Sequence, residues 1–341
     1  MQSSQQNIPT RILVIRAGQL GDTAYASSII EPLRHHYGED TIIDWVAKSG
    51  IGTIFQQDPR INNIFQIKSR RTPLPFNRGK LNVLLHSFTS PYDLVVNLEL
   101  GNIFNVMVRL VRARKKIGMP YKHFSEPPET HAVDNLKLIY QSFLKPEDID
   151  HAVPSLIGIN PEVIKEKFNL PSNYYILVPA NSHLDKHTSI NHRAWPIDHW
   201  KDLMGMMETE GLNAVIIGGK NESSFFSQFE NLPPNIISLV GKTNFPQLIG
   251  LIQGAQGVIT TDTGPSHIAA AVNTPVYALI GPTNYKRTGP YQTKYNTIYI
   301  LNANLPCSPC YHTERLLKCN DNKCMSDITP RMVMDAVNSQ P

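Results

Sequence analysis

Three short turns carry residue types from which chemistry can be built. The first, TDTGPSH (261–267), follows the apolar run GVITT and opens the small-residue stretch HIAAAV. Unpaired N–H groups at a helix start, aided by the helix dipole, can hold a phosphate. Gly264 lacks the side chain that would block close approach of a ligand. Thr263 and Ser266 have hydroxyls that either cap the helix or bind the ligand. Asp262 suits sugar hydroxyls or the turn's own backbone, because a carboxylate repels phosphate. His267, in the first helical turn, lines the site or donates to a nearby carbonyl. One strand later GPTN (281–284) leads to Lys286 and Arg287, cations suited to a diphosphate or to a solvated loop. The third turn, AGQLGD (17–22), follows the strand-like RILVIR. A carboxylate at that helix start, Asp22, is favoured as the anion and can take a proton from an attacking hydroxyl; capping the helix is its other reading. Arg16 ends the strand, where it can orient Asp22 or neutralise an acceptor phosphate, and Gly21 shares the turn on the acceptor side.

Further candidates lie between these turns. The loop PANSHLDKHTSINHRAWP (179–196) places Asn181 and Ser182 directly after a strand and Arg193 before a Trp–Pro helix start, a plausible phosphate and nucleotide contact. His183, His187 and His192 in that loop show no metal-ligand spacing. Two basic stretches, Arg70, Arg71, Arg78 and Lys80, then Arg109, Arg112, Arg114, Lys115 and Lys116, suit a phosphorylated acceptor or anionic lipid headgroups, or are solvated faces. Arg70, Arg71 and Arg112 are the acceptor-binding candidates among them. All four cysteines, Cys307, Cys310, Cys319 and Cys324, fall in one segment as CxxC, eight residues, then CxxxxC. Four thiolates at such spacing can close a structural tetrahedral Zn or Fe site; reduced buried cysteines are the alternative. Their concentration in one place fits a reducing compartment rather than a disulfide framework.

The elements that must position these residues alternate in type. Strand-like runs at 11–16, 41–48, 61–68 and 92–99 are separated by helical patterns at 23–37 and 78–88, and helical patterns at 102–115 and 131–144 follow. The pattern recurs as strands at 174–180, 213–219, 257–261 and 275–281 with helices at 196–210, 245–255 and 266–272, and a last helix near 330–337. Strands spaced by helices predict parallel sheets. A chain of 341 residues suits two domains, here 1–160 and 161–341. The expectation is an α/β protein of two Rossmann-like domains facing a central cleft, with ligands at the carboxyl ends of the strands. Two substrates facing each other favour group transfer.

Composition narrows the class further. With 41% hydrophobic and 18% charged residues and a formal charge of +4, the chain is globular and only mildly basic, so no nucleic-acid partner is expected. The start, MQSSQQNIPT, is polar, with no secretory apolar core, and no apolar run approaches the ~20 residues that cross a bilayer. Neither GxGxxG nor GxxxxGK follows the first strand, which argues against NAD and Walker-type ATP sites.

Two segments resemble a known family. IRAGQLGDTAYASSIIEPLR is similar to the opening motif of the bacterial heptosyltransferases, glycosyltransferase family 9, which includes lipopolysaccharide heptosyltransferases I and II. VGKTNFPQLIGLIQGAQGVITTDTGPSHIAAAVNTPVYALIGPTNYKRTGPY resembles their nucleotide-side motif, and the likeness runs from about residue 11 to 337. The resemblance implies a GT-B glycosyltransferase that moves a heptose, with inversion, from ADP-L-glycero-β-D-manno-heptose to the phosphorylated inner core of lipopolysaccharide, working in the cytoplasm at the inner-membrane face. It implies Asp22 as the base, Asp262, Thr263 and Gly264 as the donor turn, Arg193 on the diphosphate, and Asn181 and Ser182 beside it. No cofactor is expected for the chemistry. The 179–196 loop is longer than the family's usual turn and lacks its Gly, which keeps another nucleotide sugar as an alternative. An iron-binding branch of the family modifies protein acceptors, so a protein acceptor is a second alternative; a non-catalytic nucleotide-sugar binding protein is a third.

Overall fold

Strand sequences such as RILVI, YILV and VYAL are apolar throughout, as strands covered on both faces by helices must be. The structure is a computed structural model, and it describes residues 10–99, 101–118, 130–181, 191–229 and 231–339. The chain divides into two compact units between Leu156 and Ile157.

In the first unit β1 (Arg11–Ile15), β2 (Ile42–Lys48), β3 (Asn63–Ile67), β4 (Tyr92–Asn97) and β5 (Ala113–Ile117) form a sheet ordered β3-β2-β1-β4-β5. Every pairing in it is parallel. Its helices are α1 (Leu20–Ala26), α2 (Ile30–Tyr37), α3 (Arg78–Thr89), α4 (Asn105–Leu110), α5 (Ala132–Tyr140) and α6 (Pro146–Ile149). One face of the sheet packs Leu13, Ile15, Val46, Ile67 and Val95 against Val83 and Leu84 of α3 and Met107 and Val108 of α4.

The second unit repeats the scheme. β6 (Tyr175–Val178), β7 (Ala214–Ile216), β8 (Ile236–Ser238), β9 (Gly257–Thr261), β10 (Val276–Leu279) and β11 (Ile298–Leu301) are ordered β11-β10-β9-β6-β7-β8. These pairings are parallel too. The helices are α7 (Pro161–Phe168), α8 (Ile197–Thr209), α9 (Ser223–Phe226), α10 (Phe245–Gln253), α11 (Gly264–Ala271) and α12 (Tyr285–Thr288), followed after the Cys-rich segment by a C-terminal helix, Pro330–Asn338. Trp195 and Trp200 are fully buried and meet edge to face, ring centroids 4.9 Å apart. Such a pair contributes about 0.5–1.5 kcal/mol beyond its buried area.

Each sheet grows outward in both directions from its first strand. The order reverses between β1 and β4 in one unit and between β6 and β9 in the other. The region outside the carboxyl ends of such a strand pair is the usual ligand position in open parallel sheets.

One expectation fails. Residues 102–115 are not a single helix: α4 ends at Leu110 and the chain enters β5, sequence ARKKI. This strand pairs only with β4, at the sheet edge, where charged side chains stay solvated and no apolar alternation is needed. The short outer strands β8 and β11 escaped notice for a similar reason: each is three or four residues long, with side chains mostly half-buried.

Asp148, at the end of the first unit, ties α6 to α2. Its carboxylate lies 2.7 Å from His35 Nδ1 and 2.6 Å from His36 Nδ1. Burial alone would raise its pKa from 3.8, but hydrogen bonds from His35, the Lys145 N–H and His36 outweigh that and bring it to about 2. A carboxylate more acidic in the folded state stabilises above its unfolded pKa and loses that contribution as pH falls through the folded value. Asp148→Asn is therefore expected to lower the melting temperature at pH 7, with the gap from wild type closing between pH 4 and about pH 2. Thermal melts across that range check it.

Candidate active site

In the first unit the chain leaves β1 at Ile15, turns through Arg16, Ala17, Gly18 and Gln19, and enters α1. Asp22 is the third helical residue. Its Oδ2 accepts the Gln19 N–H at 2.9 Å, and its Oδ1 accepts from Arg16 Nη2 at 2.8 Å. The carboxylate is thus fixed by two bonds yet remains 40% exposed. Arg16 is buried, with its other branch donating to the Leu98 carbonyl at 2.7 Å. A side chain at Gly18 would place Cβ 2.5 Å from Asp22 Cβ and 2.6 Å from Oδ2. Glycine there lets the acid fold back over its own turn. Gly21 sits beside Asp22 in the same helical turn.

The neighbouring strand end adds a residue that the sequence reading missed. Glu99, just beyond β4, is wholly buried; it accepts the Ala17 N–H and pairs with Arg70 Nη1 at 3.0 Å. The signal was available: an acid ending the apolar strand YDLVVNLE. So Arg16, Asp22, Glu99 and Arg70 gather at the reversal of strand order. Arg71, next in sequence after Arg70, is exposed. Arg112 is not brought there. It precedes β5, opposite the start of β4, at the amino-terminal edge of the sheet.

In the second unit Asn181 follows β6 and Asp262 follows β9, again at the reversal. Asp262 is buried and pairs with Arg193 Nη2 at 3.0 Å. This answers why an acid stands in a phosphate-ready turn: its charge is taken up by the arginine. The Arg193 guanidinium also lies over the Tyr311 ring, 5.6 Å from its centroid. Asn191 joins Arg193 to the strand end, donating to Asn181 Oδ1 at 2.9 Å while its own Oδ1 accepts the Arg193 N–H at 3.3 Å. Trp195, two residues on, anchors the segment by donating from Nε1 to the Ile328 carbonyl at 2.7 Å. Ser182, with His183 and His187, lies outside the described residues.

Thr263 is the N-cap residue of α11, but its side chain makes no capping bond. Its hydroxyl meets that of Thr260 at 3.0 Å, so the helix start is left to other acceptors. Ser266 is fully buried and bonds back to the Thr263 carbonyl at 2.7 Å, which makes it a part of the turn rather than an open ligand group. Gly264 begins the helix and His267 is buried in its first turn. Lys286 is exposed on α12, whose start is capped by Asn284.

The cysteines form no metal centre. All four are free thiols, and among the described residues no three His, Cys, Asp or Glu side chains are grouped to hold a metal ion. Cys310 and Cys324 are buried while Cys307 is exposed. Burial first, then the neighbouring cysteines, pushes Cys324 up to about 12, and Cys310 is raised by the same causes. What the segment does instead is grip the second turn. The Cys310 and Tyr311 N–H groups both donate to the Pro282 carbonyl at 2.9 Å, and the Ser308 hydroxyl donates to that of Gly281. A side chain on Gly281 would strike Met325 Sδ at 2.4 Å.

Residues 90–320 match the model of glycosyltransferase family 9 (heptosyltransferase). The chain belongs to glycosyltransferase family 9. It is accordingly a glycosyltransferase, and the matched span includes every described donor-side residue named above. Lipopolysaccharide heptosyltransferase 3 of Escherichia coli is 27% identical over 286 residues, 78% of this chain and 82% of that protein. A family 9 glycosyl transferase from Veillonella parvula DSM 2008 superposes with a TM-score of 0.78 at 17% identity, over 97% of this chain and 96% of that one. E. coli ADP-heptose lps heptosyltransferase II does so with a TM-score of 0.71 at 20% identity, over 97% and 98%. At these identities the structures establish the fold, GT-B with two parallel-sheet α/β domains.

Two outcomes are expected from this geometry. Gly18→Ala forces the Asp22 side chain off the Gln19 N–H, and turnover falls by on the order of tenfold to a hundredfold at a near wild-type melting temperature. Steady-state kinetics beside a thermal melt reads both. At pH 8, iodoacetamide labels Cys307 rapidly and Cys324 slowly, because the thiolate is the reactive form. Peptide mass mapping over time separates the two.

Proposed function

We propose that the protein transfers a heptose from ADP-L-glycero-β-D-manno-heptose to a hydroxyl of the phosphorylated lipopolysaccharide inner core, with inversion at the anomeric carbon. The observation that carries this reading is the pair of strand-order reversals, one holding an exposed, doubly anchored carboxylate and the other an arginine beside an uncapped helix start. The names of the relatives support the sugar and the acceptor. E. coli lipopolysaccharide heptosyltransferase 3 and ADP-heptose lps heptosyltransferase II are called after that chemistry.

In this reading the acceptor hydroxyl attacks the anomeric carbon as the bond to the donor diphosphate breaks. Asp22 takes the hydroxyl proton. Both its oxygens already accept one hydrogen bond, and each keeps a second lone pair for that proton. Negative charge grows on the departing ADP. Arg193 and the start of α11 meet it, and Lys286 adds a cation. Asn181 and Ser182 complete the donor side. Arg16, Gly21, Arg70 and Arg71 form the acceptor side, where Arg70 and Arg71 suit core phosphates. Charge stabilisation of the leaving group by these residues is the part the protein itself supplies. In this reading a first domain, residues 1–160, serves the acceptor and a second, 161–341, the nucleotide sugar. Work at the cytoplasmic face of the inner membrane follows from a lipid-borne acceptor; among the described residues no helix is long and apolar enough to cross a membrane.

Asp22→Asn is expected to cut turnover by about a hundredfold to ten-thousandfold while leaving ADP-heptose binding intact. Kinetics with a core acceptor and calorimetric titration of the donor measure the two quantities separately. Wild-type turnover in the variant removes Asp22 as the base, and preferential use of a different nucleotide sugar in a competition assay overturns the donor.

A further inference from the structure

The outer side of α3 and α4 inverts the usual rule for surface helices, which turn their polar face to water. Phe76, just before α3, is 81% exposed; Leu85 and Phe88 on α3 are 65% and 60% exposed. On α4, Val106 and Leu110 are 59% and 53% exposed. They are not core residues left over at a frayed end. Val83, Leu84, Met107 and Val108 of the same helices fill the core beneath, so the exposed set is a second apolar stripe on each helix. The two helices pack against each other on one face of the sheet, and Lys80 of α3 lies over the Phe104 ring at the start of α4, 4.9 Å from its centroid.

Cations border this stripe. Arg78 opens α3 and Arg109 ends α4, both exposed. Lys116 of β5 stands opposite Val95, on the same sheet face, and donates to the Arg109 carbonyl at 2.8 Å. Arg114, two residues earlier in the strand, shares that face and is 86% exposed, with Asp93 Oδ1 3.3 Å from its Nη1. Residues 59–92 and 100–125 contain no Asp or Glu at all. Apolar side chains bordered by the exposed Arg78 and Arg109 are complementary to an anionic lipid surface. A second copy meeting this face with its own would set cation against cation.

We propose that the α3/α4 face of the first unit is a docking surface for an anionic bilayer, with Leu85, Phe88, Val106 and Leu110 entering the headgroup region and Arg78 and Arg109 meeting lipid phosphates. The proposal deepens the peripheral membrane contact and rests on the reading of the acceptor as lipid-borne. It assigns that contact to apolar residues on two helices rather than to the basic stretches alone.

Sedimentation of the full chain with phosphatidylcholine vesicles, with and without phosphatidylglycerol, tests it. Wild type is expected to co-sediment with the anionic vesicles and to be released by salt. Leu85→Ser, Phe88→Ser and Leu110→Ser combined weaken that binding by about tenfold or more. Arg78→Glu with Arg109→Glu weakens it by about fivefold per cation removed. These positions are exposed, and circular dichroism confirms that the variants fold. Equal binding by wild type and the apolar variant overturns the proposal, as does wild type that ignores anionic vesicles. Loss in the variant of a concentration-dependent self-association, in place of vesicle binding, overturns it as well. Transfer to a lipid-free core oligosaccharide is expected to be unchanged in the apolar variant. Failure of wild type to use any core acceptor sinks the functional reading instead, while the vesicle result still reads the surface.

Discussion

In each unit one poorly solvated arginine is fastened beside the point where strand order reverses. Arg16 is held between the Asp22 carboxylate and the Leu98 carbonyl; Arg193 between Asp262 and the Tyr311 ring. A guanidinium removed from water must be paired, or it leaves a large uncompensated cost. That requirement fixes more than the arginine. It fixes which way Asp22 faces, why a glycine must precede it, and why an acid can stand in a turn suited to phosphate. The Arg16–Asp22 pair is half in water, so its worth to stability is about 0–1 kcal/mol. Its importance is positional.

The sheet makes that arrangement reproducible. Parallel strands deliver all their carboxyl ends to one edge, so residues far apart in sequence, such as Ala17 and Glu99, arrive together without any dedicated contact between their helices. Duplicating the strand order gives a second edge with the same property and a different set of side chains. The two sets of strand-end residues thus sit on two scaffolds, each free to be tuned through its own loops.

Much of this could be read from the sequence, and the reasons are physical. The buried strands announce themselves as unbroken apolar runs, and the turns after β1 and β9 combine glycine with polar residues in a way that few structural needs explain. What stayed hidden was set by tertiary context. ARKKI has no strand periodicity because an edge strand needs none. Glu99 looks like the end of a strand until its partners Ala17 and Arg70 are seen. Arg112 looked like an acceptor contact because it shares a basic stretch with its neighbours, yet the sheet carries it to the opposite edge. Ser266 and Thr263 read as capping or ligand groups; their hydroxyls meet the Thr263 carbonyl and the Thr260 hydroxyl. The cysteine spacing suited a metal site or reduced, buried thiols; the described residues group no metal site, and the segment packs as a wedge.

That wedge has an evolutionary corollary. Its grip on the Gly281–Pro282 turn comes from main-chain N–H groups at 310 and 311, the Ser308 hydroxyl and the bulk of Met325. Sulfur chemistry plays no part in those bonds. Descendants of this protein are thus at liberty to lengthen, shorten or lose thiols in the excursion between 312 and 321, provided the backbone at either end keeps its course. The residue most resistant to replacement in that neighbourhood would then be a glycine, Gly281.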